Sequence, residues 1–252
     1  MTTVAATLGT TDSDRLSFFA NASRETSTRR AAAAEYSGSV IMTSPAPLIL
    51  ASRSPRRRQL LAEHGFAAHE AVHPGFEDAA LKPHTTNPGA WVASLAYLKA
   101  WAKASDPASA GRVVIGADTA CLLDGRLIGT PTTPEEAEGM IRSFIGREHE
   151  VLTGVAVIDR RGEAPVRHIF TDTARVRLGR LSEPQIGAYI ASNGWQGKAG
   201  GYNYREALIA GWPLSHTGDV TTIMGLPMAR LSGLLVRLGV PQAQPQRAKV
   251  PA

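Results

Sequence analysis

The sequence has 252 residues, 43% of them hydrophobic, and a formal net charge of +5. This is enough chain for one large domain or two small ones, with an ordinary hydrophobic core. No apolar run approaches the roughly 18 residues of a membrane span, so the sequence predicts none. The single cysteine, Cys121, cannot form an intrachain disulfide, which is typical of a reducing compartment and favours the cytoplasm.

The positive charge does not identify a partner by itself. Basic residues are spread along the chain without a long run of Lys or Arg. Such a surplus fits a nucleic-acid-binding protein, and it fits equally a protein that handles an anionic small molecule.

The two ends of the chain differ from its centre. Residues 1–43 are rich in Ala, Ser and Thr without sustained apolar periodicity, which predicts a flexible extension. They lack the apolar core of a secretory signal, and their acidic residues argue against a transit peptide. An alternative is that translation begins at Met42. Residues 242–252 form a polar tail that we expect to be disordered, which leaves 44–241 as the folded domain.

The stretch "LILASRSPRRRQLL" predicts a buried strand followed by a helix. Ser54 is suited to the N-cap, Pro55 to the first helical position and Gly65 to the C-terminal end. The first turn then contains three arginines, residues 56–58. A cation at the positive end of the helix dipole is disfavoured by roughly 0.3 to 1 kcal/mol. Three arginines there indicate that a bound anion compensates, although arginines spread into solvent are the alternative.

A second helix is predicted from Asn87 as N-cap and Pro88 as first residue. We expect its apolar stripe to consist of Trp91, Leu95, Leu98 and Ala102.

Beyond it, residues 113–117 predict a buried strand, and the Asp124-Gly125 pair predicts a hairpin turn. Thr133 with Glu136, and Ser182 with Gln185, are capping-box patterns that predict two further helices. Two more strands between them and a last helix over about 227–238 complete an alternation of strands and helices. This alternation predicts an α/β fold, and the hairpin makes its sheet mixed.

Asp118 is the first carboxylate of interest, because it directly follows the strand predicted over 113–117 and precedes Thr119. A carboxylate at a strand end can hold a hard cation or act as a base. The alternative is a turn aspartate that bonds local backbone. Glu77 and Asp78 offer a second carboxylate, and surface charge is the simpler interpretation of that pair.

The Gly-rich segment "GWQGKAGGYN" carries Lys198, which could meet a phosphate group. It lacks the spacing of a P-loop, and the histidines show no metal-site spacing such as HExxH. Glycines that simply make a loop flexible are the alternative explanation.

In their order, these segments resemble the Maf family of nucleotide pyrophosphatases. "LILASRSPRRRQLL" is similar to its opening signature, and "VIGADT", "LLDGRLIGTP" and "EEAEGMIRSFIGREHEVLTGVAV" are similar to its central block. "GKAGGYN" and "GDVTTIMGLPMARL" are similar to its last third. The resemblance spans roughly residues 48–238.

The resemblance implies an elongated mixed β-sheet flanked by helices, with two lobes around a central cleft. It implies hydrolysis of a nucleoside triphosphate to the monophosphate and pyrophosphate, with a divalent cation, Mg²⁺ or Mn²⁺. By the same resemblance, Asp118 is the proton acceptor and a metal ligand, and Glu77 is the second ligand. The implied substrate-binding residues are Ser52, Arg56, Arg57, Lys99, Thr119, Lys198 and Arg205.

Two departures from the family pattern bear on substrate choice. Thr130 stands where the family commonly has a site lysine, and Arg205 stands near a glutamine position that helps to select the base. Lys198 or Arg205 could supply the missing positive charge. Homodimers occur in the family, so the resemblance allows one.

Two other functions stay open from the sequence. The first is a nucleic-acid-binding regulator that uses the basic surface, but it does not explain a carboxylate beside a basic helix terminus. Nucleic acid is therefore not the expected partner. The second is a catalytically weak nucleotide sensor, which Thr130 makes plausible.

Overall fold

A computed structural model of the chain describes residues 47–67, 69–75 and 87–243. The predicted extension over 1–43, the carboxylates Glu77 and Asp78, and the tail beyond 243 lie outside the described residues. Gln242 and Ala243, at the start of that tail, are described. The Ala243 N–H donates to the Gly65 carbonyl at 2.8 Å, and Gln242 Nε2 donates to the His64 carbonyl at 2.9 Å.

Strands and helices alternate along the described residues, as predicted. The strands are β1 (Leu48–Ala51), β2 (His69–Val72), β3 (Val113–Leu123), β4 (Arg126–Ile128), β5 (Glu148–Asp159), β6 (Val166–Leu178) and β7 (Leu214–Thr217). The helices are α1 (Pro55–Glu63), α2 (Pro88–Ala104), α3 (Pro134–Phe144), α4 (Glu183–Ala191), α5 (Tyr204–Ile209), α6 (Val220–Ile223) and α7 (Met228–Arg237). Single 3₁₀ turns lie at Pro107–Ser109 and Ala199–Gly201. No helix in this part of the chain is both long and apolar enough to cross a bilayer.

The predicted N-cap residues are confirmed, although Glu136 accepts from Thr132 and so does not complete the box predicted with Thr133. Ser54 has an extended backbone and its hydroxyl accepts the Arg57 N–H, while Asn87 does the same for Ala90. Ser182 and Gln185 form a complete capping box. Each cap satisfies a backbone N–H that has no partner within the helix, and this fixes where the chain turns from strand to helix.

In the described residues the strands form one sheet in the order β2-β1-β3-β5-β6-β7, and β4 pairs with β3. β1 runs parallel to β2 and β3, and the other pairs are antiparallel. The predicted hairpin joins β3 to β4, with Asp124 and Gly125 at φ +50° and +73°. Positive φ at both positions is the geometry that Asp-Gly favours.

One edge of β3 is open in its middle. β1 pairs with it only as far as Ile115, and β4 pairs with it only from Cys121 onward. The prediction that the strand ends before Asp118 is wrong, because β5 continues the ladder on the other edge beyond that residue. Asp118 therefore lies in the middle of a strand, at the open edge, rather than at a strand end.

Helix α2 covers one face of the sheet, and the stripe predicted for it is only partly right, because Leu95 is buried but Ala102 is exposed. Leu98 and Trp101 are exposed, whereas Ala96, Ala100 and Ala104 are buried. The reason is close backbone approach: a Cβ on Gly116 of β3 would lie 2.3 Å from the Ala96 carbonyl oxygen. Small residues on both surfaces bring this part of the helix down onto the strands, so Leu98 and Trp101 turn outward while Val92 and Leu95 stay buried.

Two hydrophobic cores lie toward the opposite ends of β3. The first unites β1, α1 and α7 and includes Leu50, Leu61 and Leu231. The second unites α3, α4 and α5 and includes Phe144, Ile186 and Trp212. The predicted fold class, a mixed α/β sheet flanked by helices, is confirmed.

Candidate functional site

A cavity of about 340 Å³ opens beside the free edge of β3. Its lining comes mainly from α1, α2, β3 and β5 and from the loops around residues 197–203 and 223–225. We call residues 52–57 the α1 wall and residues 197–206 the loop wall. The side chains and backbone that line the cavity are those of Ser54, Arg56, Arg57, Lys99, Asp118, Thr119, Cys121, Thr130, His149, Val151, Gly197, Lys198, Ala199, Tyr202, Asn203, Tyr204, Ile223, Met224 and Gly225.

Arg57 organises the α1 wall. Its Nε donates to the Gly225 carbonyl at 2.9 Å, one terminal nitrogen donates to the Ser52 hydroxyl at 3.2 Å, and the other donates to the Thr119 hydroxyl at 3.1 Å. These bonds join the N-terminus of α1 to β3 and to the loop that precedes α7. A rigid guanidinium fork can hold three elements in fixed relation, which a single ammonium cannot.

Ser52 and Ser54 complete the turn before α1. Ser52 is buried, and its hydroxyl accepts the Ser54 N–H at 3.2 Å. Ser52 acts through Arg57 and the turn, whereas Ser54, which sequence reasoning treated only as a cap, lines the cavity.

Arg56 is half-buried, lines the cavity, and has no hydrogen-bond or ion-pair partner within the described residues. It projects from the first turn of α1, where no acidic residue offsets the helix dipole. A positive group in that position is suited to receive an anion. Arg58 is exposed and does not line the cavity.

Asp118 is held by Lys99 on α2. Lys99 Nζ lies 2.7 Å from Asp118 Oδ1, and their side chains are only 13% and 14% exposed. Both residues line the cavity, so the predicted carboxylate and the predicted lysine come together there. The pair presents an oriented carboxylate at the open edge of β3, in the same cavity as the arginines of the α1 wall.

Thr119 belongs to a chain of hydroxyl groups under the cavity. Its Oγ1 lies 3.0 Å from Thr153 Oγ1, and Thr153 Oγ1 donates to the Thr222 carbonyl at 2.8 Å. Thr153 is fully buried. These hydrogen bonds fix the orientation of the Thr119 side chain, whose hydroxyl also accepts from Arg57.

The loop wall carries one of the two predicted basic residues into the cavity. Lys198 lines it, and its amine forms an ion pair with Glu206. The Gly200 N–H donates to the Gly129 carbonyl at 2.9 Å, which ties this loop to the segment containing Thr130. Arg205 is not among the lining residues; its side chain is half-exposed and pairs with Glu63 at 3.4 Å.

Sequence reasoning missed His149 and Tyr202, which lie together in the cavity wall. The Tyr202 hydroxyl is 3.0 Å from His149 Nε2. Burial lowers the pKa of His149 to about 4 and raises the pKa of Tyr202, so both are uncharged near neutral pH. A histidine at the start of the strand segment "HEVLTGVAV", in which apolar residues predominate, was the available signal.

Cys121 is also part of this wall and is buried. Its Sγ lies 3.8 Å from the Ala199 carbonyl, and burial raises its thiol pKa to about 12. The thiol is therefore a packing group and not a nucleophile near neutral pH.

A divalent cation can be weighed against the donors that are present. The described residues contain no cluster of three or more His, Cys, Asp or Glu side chains arranged for a metal. Asp118 is the carboxylate among the residues lining the cavity, and Glu77 lies outside the described residues. Mg²⁺ commonly binds through one or two carboxylates together with substrate phosphates, so this donor set fits it.

Comparison with known proteins places the chain in a family. The model of the Maf-like protein family matches residues 47–238. A dTTP/UTP pyrophosphatase of Cereibacter sphaeroides is 39% identical over 194 residues, covering 77% of this chain and 96% of that protein. Proteins of the same name from Hyphomonas neptunium and Symbiobacterium thermophilum are 36% and 39% identical, covering 79% and 77% of this chain and 98% and 95% of those proteins. The match runs across both walls of the cavity, and the chain belongs to the Maf family.

Proposed function

We propose that the protein hydrolyses a nucleoside triphosphate of the dTTP/UTP class to the monophosphate and pyrophosphate in this cavity. The observation that carries the proposal is the meeting of two opposite kinds of group in one space. Arg56 and Arg57 bring positive charge and Asp118 brings a carboxylate, and all three line the same cavity. The names of the relatives, which match along most of their own length, support the same reaction.

The α1 wall would bind the phosphates. A triphosphate carries several negative charges, which cost free energy on leaving water unless they meet donors or cations. Arg56, the Ser54 turn and the N-terminus of α1 supply both. Arg57 holds this wall in register with Thr119, so the donors are fixed before the substrate arrives.

Asp118 would accept the proton of the attacking water. The water oxygen bonds to the α-phosphorus, the bond from that phosphorus to the α,β-bridging oxygen breaks, and pyrophosphate leaves. Lys99, 2.7 Å from Oδ1, fixes the carboxylate and adds positive charge where the transition state gains negative charge. A divalent cation, Mg²⁺ or Mn²⁺, held by Asp118 and Glu77, would supply further charge neutralisation on the phosphate oxygens.

The test is a panel of dTTP, UTP, CTP, ATP and GTP, each with and without Mg²⁺, assayed for pyrophosphate release. We expect release from dTTP and UTP in the presence of the metal. Asp118→Asn should lower kcat by at least about a thousandfold, since a positioned base contributes roughly 10²- to 10⁴-fold and charge stabilisation adds to it.

Asp124→Asn is the matched control. It makes the same chemical change six residues further along the chain, at the exposed turn where Asp124 pairs with Arg147. This variant should keep wild-type turnover. Near-normal turnover in Asp118→Asn would remove Asp118 from the mechanism. A wild-type protein inactive on every triphosphate, but binding DNA with steep salt dependence, would support the nucleic-acid-binding alternative instead.

A further inference from the structure

The side chains of β3 and β5 that form the floor of the cavity change in polarity from one end of the cavity to the other. Thr119 and Thr153 pair across β3 and β5, and Cys121 and Val151 pair two residues further on. His149 follows two residues beyond Val151 on β5. Residues two apart in a strand lie on the same face of the sheet, so this floor runs from hydroxyl groups through apolar groups to an imidazole.

This polarity matches that of a nucleotide. The hydroxyl end meets Arg57 of the α1 wall, where phosphates would bind. His149 lies four residues from Thr153, roughly 13 Å along the strand at 3.3 Å per residue. A base attached to phosphates at the first end would therefore reach toward the second, where Tyr202 and His149 line the same cavity.

Tyr202 is held rigidly at that end. Its ring centroid lies 5.5 Å from that of Trp212 and 6.2 Å from that of Phe144. The ring of Phe144 also packs on His149, with centroids 4.2 Å apart. Packing of this kind leaves the hydroxyl little freedom, so its hydrogen-bonding direction is set by its neighbours.

The protonation of His149 decides what the Tyr202 hydroxyl can do. His149 is 2% exposed, and its buried Nδ1 has no hydrogen-bond partner in the described part of the chain. A buried N–H without an acceptor is rarer than a buried acceptor without a donor, which favours the hydrogen on Nε2. Nε2–H then donates to the Tyr202 oxygen at 3.0 Å. The hydrogen of the Tyr202 hydroxyl is left to donate elsewhere.

We propose that the Tyr202 hydroxyl donates to the oxygen at position 4 of a uracil or thymine base, and that His149 is the positioning residue that fixes it as a donor. Cytosine carries an amino group at that position, which offers no acceptor for the hydroxyl hydrogen. The pair would thus distinguish uracil and thymine from cytosine. This inference rests on the proposed function, because it takes the ligand to be a nucleoside triphosphate.

The experiment compares binding of the α,β-imido analogues of UTP and CTP by calorimetry, in the wild-type protein and in three variants. Tyr202→Phe removes the hydroxyl and keeps the ring. His149→Gln can place an amide N–H near the position of Nε2, whereas the shorter His149→Asn cannot reach Tyr202. Tripolyphosphate binding serves as the internal control, because it reports on the α1 wall without a base.

We expect the wild-type protein to prefer the UTP analogue. Tyr202→Phe and His149→Asn should reduce the ratio of the CTP-analogue Kd to the UTP-analogue Kd by about five- to tenfold, as for loss of one hydrogen bond. His149→Gln should keep the ratio within about twofold. Tripolyphosphate should bind equally to all four proteins.

An unchanged ratio in Tyr202→Phe, or no wild-type preference, would overturn the inference. A His149→Asn variant that weakens both analogues and tripolyphosphate equally would reduce His149 to a structural role and overturn its assignment. Pyrophosphate release is measured separately on UTP itself. If the wild-type protein releases pyrophosphate but the variants leave the ratio of Kd values unchanged, the proposed function stands and the role of Tyr202 in base selection does not. If the ratio changes but no pyrophosphate is released, the role in base selection stands and the proposed hydrolysis does not.

Discussion

The α1 wall and the loop wall both carry basic side chains, but they use them differently. Arg57 in the α1 wall bonds to three uncharged oxygens, two of them on other elements of the fold. Lys198 in the loop wall pairs with a carboxylate only eight residues away, on Glu206. The comparison separates an arginine that shapes the cavity from a lysine that contributes charge to it.

The largest effect is expected from replacing Arg57. Arg57→Lys keeps the charge but can make only part of the hydrogen bonding to Ser52, Thr119 and Gly225. We expect kcat/KM for UTP to fall by about 30- to 150-fold, equivalent to about 2 to 3 kcal/mol, because hydrogen bonds to a charged group are worth roughly 1.5 to 3 kcal/mol each. The melting temperature should fall as well.

Arg56→Lys is the neighbouring control. Arg56 has no partner within the described residues, so the lysine keeps the charge and breaks no internal bond. This variant should raise KM only a few-fold and leave the melting temperature unchanged, whereas Arg56→Ala should raise KM substantially. A loss in Arg57→Lys as small as the few-fold loss in Arg56→Lys would mean that Arg57 acts through its charge alone.

His149 allows the far end of the cavity to be tested through stability. Burial lowers its pKa from 6.5 to about 4, so between these values the unfolded chain binds a proton that the native protein excludes. The free energy of unfolding should therefore decrease as the pH falls from about 6.5 to about 4, by roughly 2.5 kcal/mol from this group. Urea unfolding at several pH values measures the slope.

Two variants identify the source of that slope. His149→Gln removes the titrating group and should flatten the dependence in this window. Tyr202→Phe removes the hydrogen-bond partner but keeps the imidazole buried, and it should retain the slope. If the free energy of unfolding depends on pH equally in wild type and His149→Gln, other groups cause that dependence. Burial then does not lower the pKa of His149 as described.

Much of the fold follows from local signals in the sequence. Ser54, Asn87 and Ser182 cap helices where predicted, because each cap satisfies a backbone N–H within three residues. The Asp124-Gly125 turn likewise needs only its own two positive φ angles. The meeting of the α1 wall with Asp118 was expected from the family resemblance, and the cavity contains both.

The failures come from contacts between distant residues. The buried face of α2 is set by Gly116 and by Gly154, whose Cβ would lie 2.4 Å from the Val92 carbonyl, and no helical periodicity contains that information. Asp118 lies within a strand because β5 pairs with it. His149 and Tyr202 are 53 residues apart, so their hydrogen bond could not be inferred from spacing.

The smallest effect should come from the loop wall, where the sequence left Lys198 and Arg205 as rivals for one role. Lys198 lines the cavity with a side chain only 15% exposed, whereas Arg205 lies outside it, half-exposed beside Glu63. Lys198→Ala should raise KM for UTP by about two- to fivefold, because Glu206 already offsets part of its charge. Arg205→Ala should change KM by less than about twofold, as expected for an exposed ion pair.

These two variants remove one positive charge each, so net charge cannot explain a difference between them. Measuring KM at low and high salt sharpens the test, since an effect of charge outside the cavity is screened by salt more strongly than a contact within it. A larger loss in Arg205→Ala than in Lys198→Ala would mean that the loop wall rearranges when substrate binds and that Arg205 then enters the cavity. A larger rise in KM in Lys198→Ala than in Arg205→Ala assigns the positive charge of the loop wall to Lys198. Lys198 lies on the same segment as Tyr202 and as Gly200, whose N–H bonds to Gly129.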